Sequence, residues 1–316
     1  MRYSFFALFI GFIIDAIAGD PSGIPHPVIY IGKLISYLEK KGRDYAKGDP
    51  ALERKAGGVI WGIVCLVSFL LPFIILDIAS LISPVLRVAL ESIMCWQILA
   101  CRSLKTESMK VHDAIEEGDV EKARTAVSMI VGRDTSKLDE KGIIRAAVET
   151  IAENTSDGII APMFFIALGG APLGMMYKGV NTMDSMLGYI DPPYTNIGMI
   201  PAKLDDVFNF IPARLSAFLM LIAGALMGLD TENGWKIFRR DRYKHASPNS
   251  AQTESVCAGL LGVRLAGDAW YHGVLHKKEY IGDGLREIEN SDIPLTCRLM
   301  YVTSGVMLIL AGAVML

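Results

Sequence analysis

GGVIWGIVCLVSFLLPFIIL, residues 57–76, decides what kind of molecule this is. The run carries no charged side chain. As a helix of about 20 residues it would match the roughly 30 Å hydrocarbon layer of a bilayer. IASLISPVLRVALESIMCWQILA (78–100) follows almost without a break, and 299–316 has the same character. Residues 3–18 form a shorter apolar run. Arg2 precedes it, as in a signal peptide, but Asp15 interrupts the run and no small-x-small cleavage site follows, so it is expected to be a retained first membrane helix. Two further apolar stretches, 159–177 and 211–229, are doubtful crossings. The first holds Pro162, Gly169, Gly170, Pro172 and Gly174, which break or kink helices and are tolerated where they line a protein cavity. The expectation is an all-α, polytopic membrane protein forming one embedded domain, with 159–177 and 211–229 re-entrant or interfacial.

Composition agrees. Of 316 residues, 52% are hydrophobic and 21% charged, and the mean hydropathy is +0.36, more apolar than a soluble domain of this length. A formal net charge of -3 offers no basic excess for nucleic acid. Five scattered cysteines with no CxxC pair argue against a disulfide framework or structural zinc. Lys and Arg concentrate in 19–57, 102–158 and 230–298, so these segments are expected in the cytoplasm and the active site is expected to face it.

Against this apolar background, VSMIVGRDTSKLDEKGIIRAAVETIAENTSD (127–157) stands out. Charge this dense beside a membrane region usually marks a site, although a solvated helix laced with ion pairs is the plainer alternative. Ser136 to Asp139 fits a capping box. A helix over 138–154 would stack Arg145, Glu149 and Glu153 on one face, flanked by Arg133, Asp134, Asn154 and Asp157. Glu149 and Glu153 could hold a divalent cation, or Arg145 could simply pair with Glu149. Residues 107–127 read as a helical hairpin turning at 117–119.

Three further clusters recur downstream. Lys178, Asn181 and Asp184 fall on one helical stripe and suit a phosphate and its metal, or lie at the interface with the lysine reaching head groups. Lys203, Asp205, Asp206, Asn209 and Arg214 resemble metal–polyphosphate sites. Arg240, Lys244, His245 and Asn249 lie in a basic run ending in a Ser-Pro-Asn turn, either a solvated patch or an anion site. His26 in a Pro-His-Pro loop reads as structural. His272 and His276 have ligand spacing without an HExxH glutamate and read as surface. Walker A, Rossmann and GxSxG motifs are absent.

Taken in order, GDPSGIPHPVIYIGKLI (19–35), CRSL (101–104), the block from 127 to 165, YKGVNTMDSMLGY (177–189), KLDDVFNFIPARLSA (203–217) and RDRYKHASPNSAQTESVCAGLLGVRLAG (240–267) closely resemble adenosylcobinamide-phosphate synthase, the membrane enzyme of cobalamin biosynthesis. Ser250, Thr253 and Ala266 depart from that pattern, which is expected to carry Gly, Pro and Gly there. The resemblance implies ATP-dependent joining of adenosylcobyric acid to an aminopropanol phosphate or a related amino alcohol, with magnesium. It implies Asp184, Asp205 and Asp206 on magnesium–ATP, and Arg133, Lys178 and Arg214 on phosphate oxygens. Glu149 or Glu153 would be the base or a further metal ligand, with Asp157 beside them. Arg240 and Lys244 would hold the amino alcohol's phosphate, with Asp134, Arg145, Asn154, Asn181, Asn209, His245 and Asn249 in the binding surface. Corrinoid, amino alcohol phosphate and lipid are the expected partners, with a homo-oligomer or other cobalamin-biosynthesis enzymes as further ones, and the cell membrane is the expected location. A magnesium-dependent prenyl or phosphatidyl transferase and a transporter remain the alternatives, though no paired DxxxD motif and no repeated halves are present.

Overall fold

The computed structural model describes residues 2–21, 23–189, 192–271 and 273–316. In chain order the elements are α1 (Arg2–Ala18), α2 (Pro27–Ala46), α3 (Pro50–Ile82), α4 (Pro84–Ile98), α5 (Cys101–Glu116), α6 (Val120–Ser128) and α7 (Glu140–Thr155). A π-helical turn at Ser156–Ile160 precedes α8 (Ala161–Leu187). Then come α9 (Met199–Leu226), α10 (Thr231–Asp241), α11 (Ser250–Leu261), β1 (Leu265–Ala266), β2 (Ala269–Tyr271), β3 (Val274–His276), β4 (Tyr280–Ile281) and α12 (Asp292–Met315). Among the described residues the fold is all-α apart from two short antiparallel pairs, β1 with β4 and β2 with β3.

Among the described residues, five helical stretches are long and apolar enough to cross a membrane: Pro50–Ile82, Pro84–Glu116, Glu140–Leu187, Met199–Leu226 and Asp292–Met315. Leu66, Leu71, Ile78, Leu81 and Ile82 of α3 are exposed. An apolar surface of that extent is stable in lipid and a liability in water, so the chain is a multi-pass membrane protein. Residues 57–76 lie inside α3. Residues 78–100 do not form one helix, because Ser83 turns extended, caps Val85 with its hydroxyl and lets Pro84 open α4. Of the segments 159–177 and 211–229, expected from the sequence to be re-entrant or interfacial, 161–177 lies within the long helix α8, with Ile159 and Ile160 in the π-helical turn before it, and 211–226 lies within the long helix α9.

The residues group into two compact units. The first comprises Met1–Leu99, Ala161–Asn209 and Leu310–Leu316. Here α1 packs on α4, and α3 on α8 and α2. A Cβ on Gly11 would come within 2.7 Å of the Cys95 Cβ, so α1 and α4 meet almost backbone to backbone. Phe165 stacks between Tyr177 and Phe208, with ring centroids 5.0 and 5.5 Å away. The glycine-proline run expected to break the helix does so. Gly169 and Gly170 leave helical geometry, Gly170 at φ +71, and the freed Ala171 N–H donates to the buried Glu91 carboxylate of α4 at 3.3 Å.

The second unit comprises Ala100–Ile160 and Phe210–Ile309. Its α5 and α6 form the hairpin expected near 107–127, turning at Gly118 (φ +75) and capped by Asp119. Helix α7 begins two residues after the point read from the sequence. Asp139, not Ser136, is its N-cap, because the Asp139 carboxylate accepts the Gly142 N–H at 2.8 Å. Around α7 lie α5, α6, α11 and β1, and α11 also packs on α10. All twelve residues of α11 are buried.

Candidate functional site

In the second unit, α7 and α11 carry a carboxylate cluster. The i,i+4 spacing of Glu149 and Glu153 places both on one face of α7. Glu149 is 3% exposed and has both oxygens engaged. Its Oε2 accepts from the Arg133 guanidinium, and its Oε1 accepts the Ala266 N–H at 2.6 Å. Arg145 does not pair with Glu149; its guanidinium lies 5.7 Å from the centre of the Tyr280 ring. Burial works against the charge on Arg133, but the Glu149 carboxylate outweighs it and holds the guanidinium above its ordinary pKa. Glu153, half-buried, accepts the Ser250 hydroxyl at 2.8 Å, so two of the three departures from the family pattern contribute a site contact, Ser250 through its side chain and Ala266 through its backbone.

Glu254 on α11 joins them and is absent from the residues singled out by sequence. It is 5% exposed, and its Oε2 has no hydrogen-bond partner. Burial, then the Glu153 and Glu149 charges, push its carboxyl well above the usual range. The signal was present: a lone glutamate in a helix of small and apolar residues, with Ser250 and Ala258 at the neighbouring helical positions and no cation to pair with. His245 is held below its ordinary pKa by burial, against the raising effect of Glu153. Its Nδ1 accepts the Ser247 N–H at 3.1 Å. Lys278 donates to the Tyr271 hydroxyl at 2.9 Å.

Other expected site residues in this unit have defined tasks. Asp134 holds the β2–β3 hairpin, its N–H on the Trp270 carbonyl and its Oδ2 on the Gly273 N–H, both at 2.8 Å. Asn154 bonds back to the Thr150 carbonyl, and Asp157 lies half-buried in the π-helical turn. Arg214 donates to Asn249 Oδ1 at 3.1 Å and sits 3.6 Å from the Phe210 ring centre. Arg240 and Lys244 both bind the fully buried Asp241, Arg240 through two 2.7 Å bonds and Lys244 at 3.0 Å, and Arg240 also reaches Asp283. A phosphate would compete with Asp241 for them. His276 packs edge-on against Tyr271, and His272 lies outside the described residues.

The first unit carries two polar groups. Lys178 faces Asp15 and Asp20 electrostatically. His26 caps α2 through Nδ1 to the Val28 N–H at 3.3 Å and sets Nε2 3.6 Å from Asp20. Burial lowers its pKa, with Asp20 opposing. Asp15, read from the sequence only as an interruption of the apolar run, is fully buried here. The second group is Asp205, 8% exposed, accepting from Asn209 at 2.9 Å, while Asn209 Oδ1 accepts the Tyr177 hydroxyl at 2.7 Å. Asp206 points about 100° away around α9 from Asp205. Asn181 and Asp184 follow Lys178 on α8.

No group of three His, Cys, Asp or Glu side chains among the described residues is close enough to hold a metal ion. Magnesium, however, usually takes one or two carboxylates plus substrate phosphates and keeps its waters. Asp205 supplies one such carboxylate, while Asn209 positions it, with its N–H on Asp205 and its oxygen on the Tyr177 hydroxyl.

The CobD/Cbib protein family model matches residues 8–300. The chain belongs to the CobD/Cbib family. It is 45% identical over 304 residues to the cobalamin biosynthesis protein CobD of Clostridium perfringens (strain 13 / Type A), covering 96% of each chain. Identity to the protein of the same name from Clostridium acetobutylicum is 49% over 294 residues, 93% of each. The cobalamin biosynthesis protein CbiB of Salmonella typhi is 47% identical over 304 residues, 95% of this chain and 94% of that one. No solved structure matches this CobD/Cbib family member.

Proposed function

We propose that this chain is an ATP-dependent carbon–nitrogen ligase of cobalamin biosynthesis, acting at the cytoplasmic face of the cell membrane. It joins the propionate of adenosylcobyric acid to the amine of an aminopropanol phosphate. A carboxylate is a poor electrophile and an ammonium is no nucleophile. Phosphoryl transfer from ATP to the propionate provides a leaving group and releases ADP. Attack by the free amine then forms the amide and releases phosphate and a proton.

The observation that carries this reading is the cluster of the buried Glu149 and Glu254 with the half-buried Glu153, Arg133 and His245, in a chain whose relatives are named cobalamin biosynthesis proteins. It combines acid–base groups with a fixed cation. Asp205 is the residue that would hold magnesium through substrate phosphates, with Asp206 beside it on α9 and Asp184 on α8 as further candidate ligands and Lys178 on the anions. When bound, magnesium neutralises phosphate charge. Glu149 keeps the site in shape, since both its oxygens are engaged, and this leaves proton transfer to Glu153 and Glu254.

Mass spectrometry tests it. Detergent-solubilised protein is given magnesium-ATP, adenosylcobyric acid and aminopropanol phosphate, with each component omitted in turn. An amide-linked corrinoid formed only in the complete mixture, with ADP released alongside, is the expected result. Corrinoid product without ATP consumption, or none from folded protein across the amino alcohols, refutes it.

A further inference from the structure

The cluster carried by α7 and α11 is one cation short. Charged groups face Glu254 from several elements: Glu149 and Glu153 from α7, Arg133 from the segment before it, and Lys278 from the segment after β3, while His245, from the segment before α11, faces the same Glu149, Glu153, Arg133 and Lys278. Of the two permanent cations, Arg133 is bound to Glu149, and Lys278 donates to the Tyr271 hydroxyl and acts on Glu254 only through its field, so three carboxylates share two cations. Glu153 has a neutral hydroxyl for a partner, and Glu254 Oε2 has none although the side chain is 95% withdrawn from solvent. Buried polar atoms are normally satisfied, and an exception calls for an explanation.

We infer that Glu254 and Glu153, with the Ser250 hydroxyl, form the subsite for the ammonium group of the amine substrate, and that Glu254 takes the proton that frees the amine. The inference rests on the ligase reading for the identity of the amine. An ammonium brings three donors and bonds at ordinary hydrogen-bond length, so it tolerates a looser arrangement than magnesium, which needs oxygens at about 2.0–2.1 Å. No three such ligands converge among the described residues. Entry of the cation stabilises Glu254 as a carboxylate and expels its proton to solvent. In the reactive complex one N–H bond of the ammonium breaks and one O–H bond forms on Glu254. Ammonium and carboxylate become neutral amine and carboxylic acid, and the nitrogen lone pair is then free to attack. A base with a raised pKa suits this exchange, because it lies nearer the amine's own.

The test uses the full chain in lipid nanodiscs, titrated calorimetrically with aminopropanol phosphate and with propanediol phosphate, which lacks the amine. Two buffers of different ionisation heat report protons exchanged. The wild type is expected to prefer the amine by about 30-fold or more and to release up to about one proton per amine bound wherever the empty site still holds Glu254 protonated, the release falling away as pH rises further. Glu254→Gln should erase both the preference and the proton release, and Glu254→Asp should restore part of each. If Glu254→Gln melts early, Glu254→Asp and Ser250→Ala carry the comparison, with a several-fold loss of preference expected in each. An unchanged preference in folded Glu254→Gln overturns the subsite. So does magnesium alone binding there in competition with the amine. Turnover separates the two claims: wild-type kcat and KM for the amine in Glu254→Gln sink the subsite and spare the ligase. Glu254-dependent amine binding without any amide product sinks the ligase and spares the subsite.

Discussion

Glu149 and Arg133 offer the sharpest test of how the second unit is held together. Their side chains are 4% and 17% exposed, and the Glu149 carboxylate also carries the Ala266 N–H at the start of β1. Glu149→Gln keeps an oxygen for Ala266 but leaves the Arg133 guanidinium mostly buried without its counter-charge. Stranding one partner of a buried pair costs about 3–5 kcal/mol, and the residual exposure of Arg133 places the expected loss near the lower end, about 3 kcal/mol. For a unit of this size each kcal/mol moves the melting temperature by about 2–4 °C, so a fall of roughly 6–12 °C is expected. Arg133→Met should cost less, because the Ala266 N–H still satisfies one stranded carboxylate oxygen. The double variant Arg133→Met/Glu149→Leu removes both charges and should recover much of the loss, giving a coupling of about 2–3 kcal/mol. The assay is tryptophan-fluorescence melting in detergent across the four-member cycle. Single effects that add within about 0.5 kcal/mol would mean that the pair does not hold α7 to its neighbours, and the account of the site's shape would fail with it.

Three other outcomes follow from the same geometry. Asp205→Asn should reduce amide formation at least about a hundredfold with little change in melting, since Asn209 and Tyr177 remain bonded to one another; near-normal turnover removes Asp205 from the magnesium–phosphate role. Asp241 is pulled to about 2 from its ordinary 3.8: burial raises it, but Arg240, the Gly282 N–H and Lys244 prevail. Its folded-state pKa is depressed, so its contribution of about 2 kcal/mol is full above pH 4 and lost as pH falls towards 2. The melting difference between wild type and Asp241→Asn should therefore shrink over that window, and a difference constant with pH refutes it. Ala266 sits at φ +59, which costs a non-glycine residue about 1–2 kcal/mol. Ala266→Gly should match or exceed the wild-type melting temperature despite the roughly 0.4–1 kcal/mol of unfolded-chain entropy it adds. Ala266→Val should lose about 1–3 kcal/mol, and a clear loss in Ala266→Gly contradicts the strain.

How much was legible depended on the range of the interaction. Hydropathy is a sum over neighbours in the chain, so 57–76 declared a membrane helix on its own, and the glycines at 169 and 170 announced the break in α8. The hairpin turn at Gly118 was equally local. Where helix ends differ from the sequence expectation, a single competing contact decides: Asp139 captures Gly142 instead of Ser136 capping the helix, and Ser83 with Pro84 divides an apolar run whose average hydropathy carries no record of it.

The sequence by itself therefore determined an all-α membrane fold, the family, and a set of charged residues too costly to be incidental. Only the tertiary structure decided which charges meet. It paired Glu149 with Arg133 and not with Arg145 four residues away, tied Arg240 to Asp283, buried Asp15, and brought Glu254 to Glu149 and Glu153 from a hundred residues along the chain. The physical reason is that hydrophobic period is written in local spacing, whereas an ion pair depends on distance in space and on how much water is excluded around it. Neither quantity exists until the helices have packed.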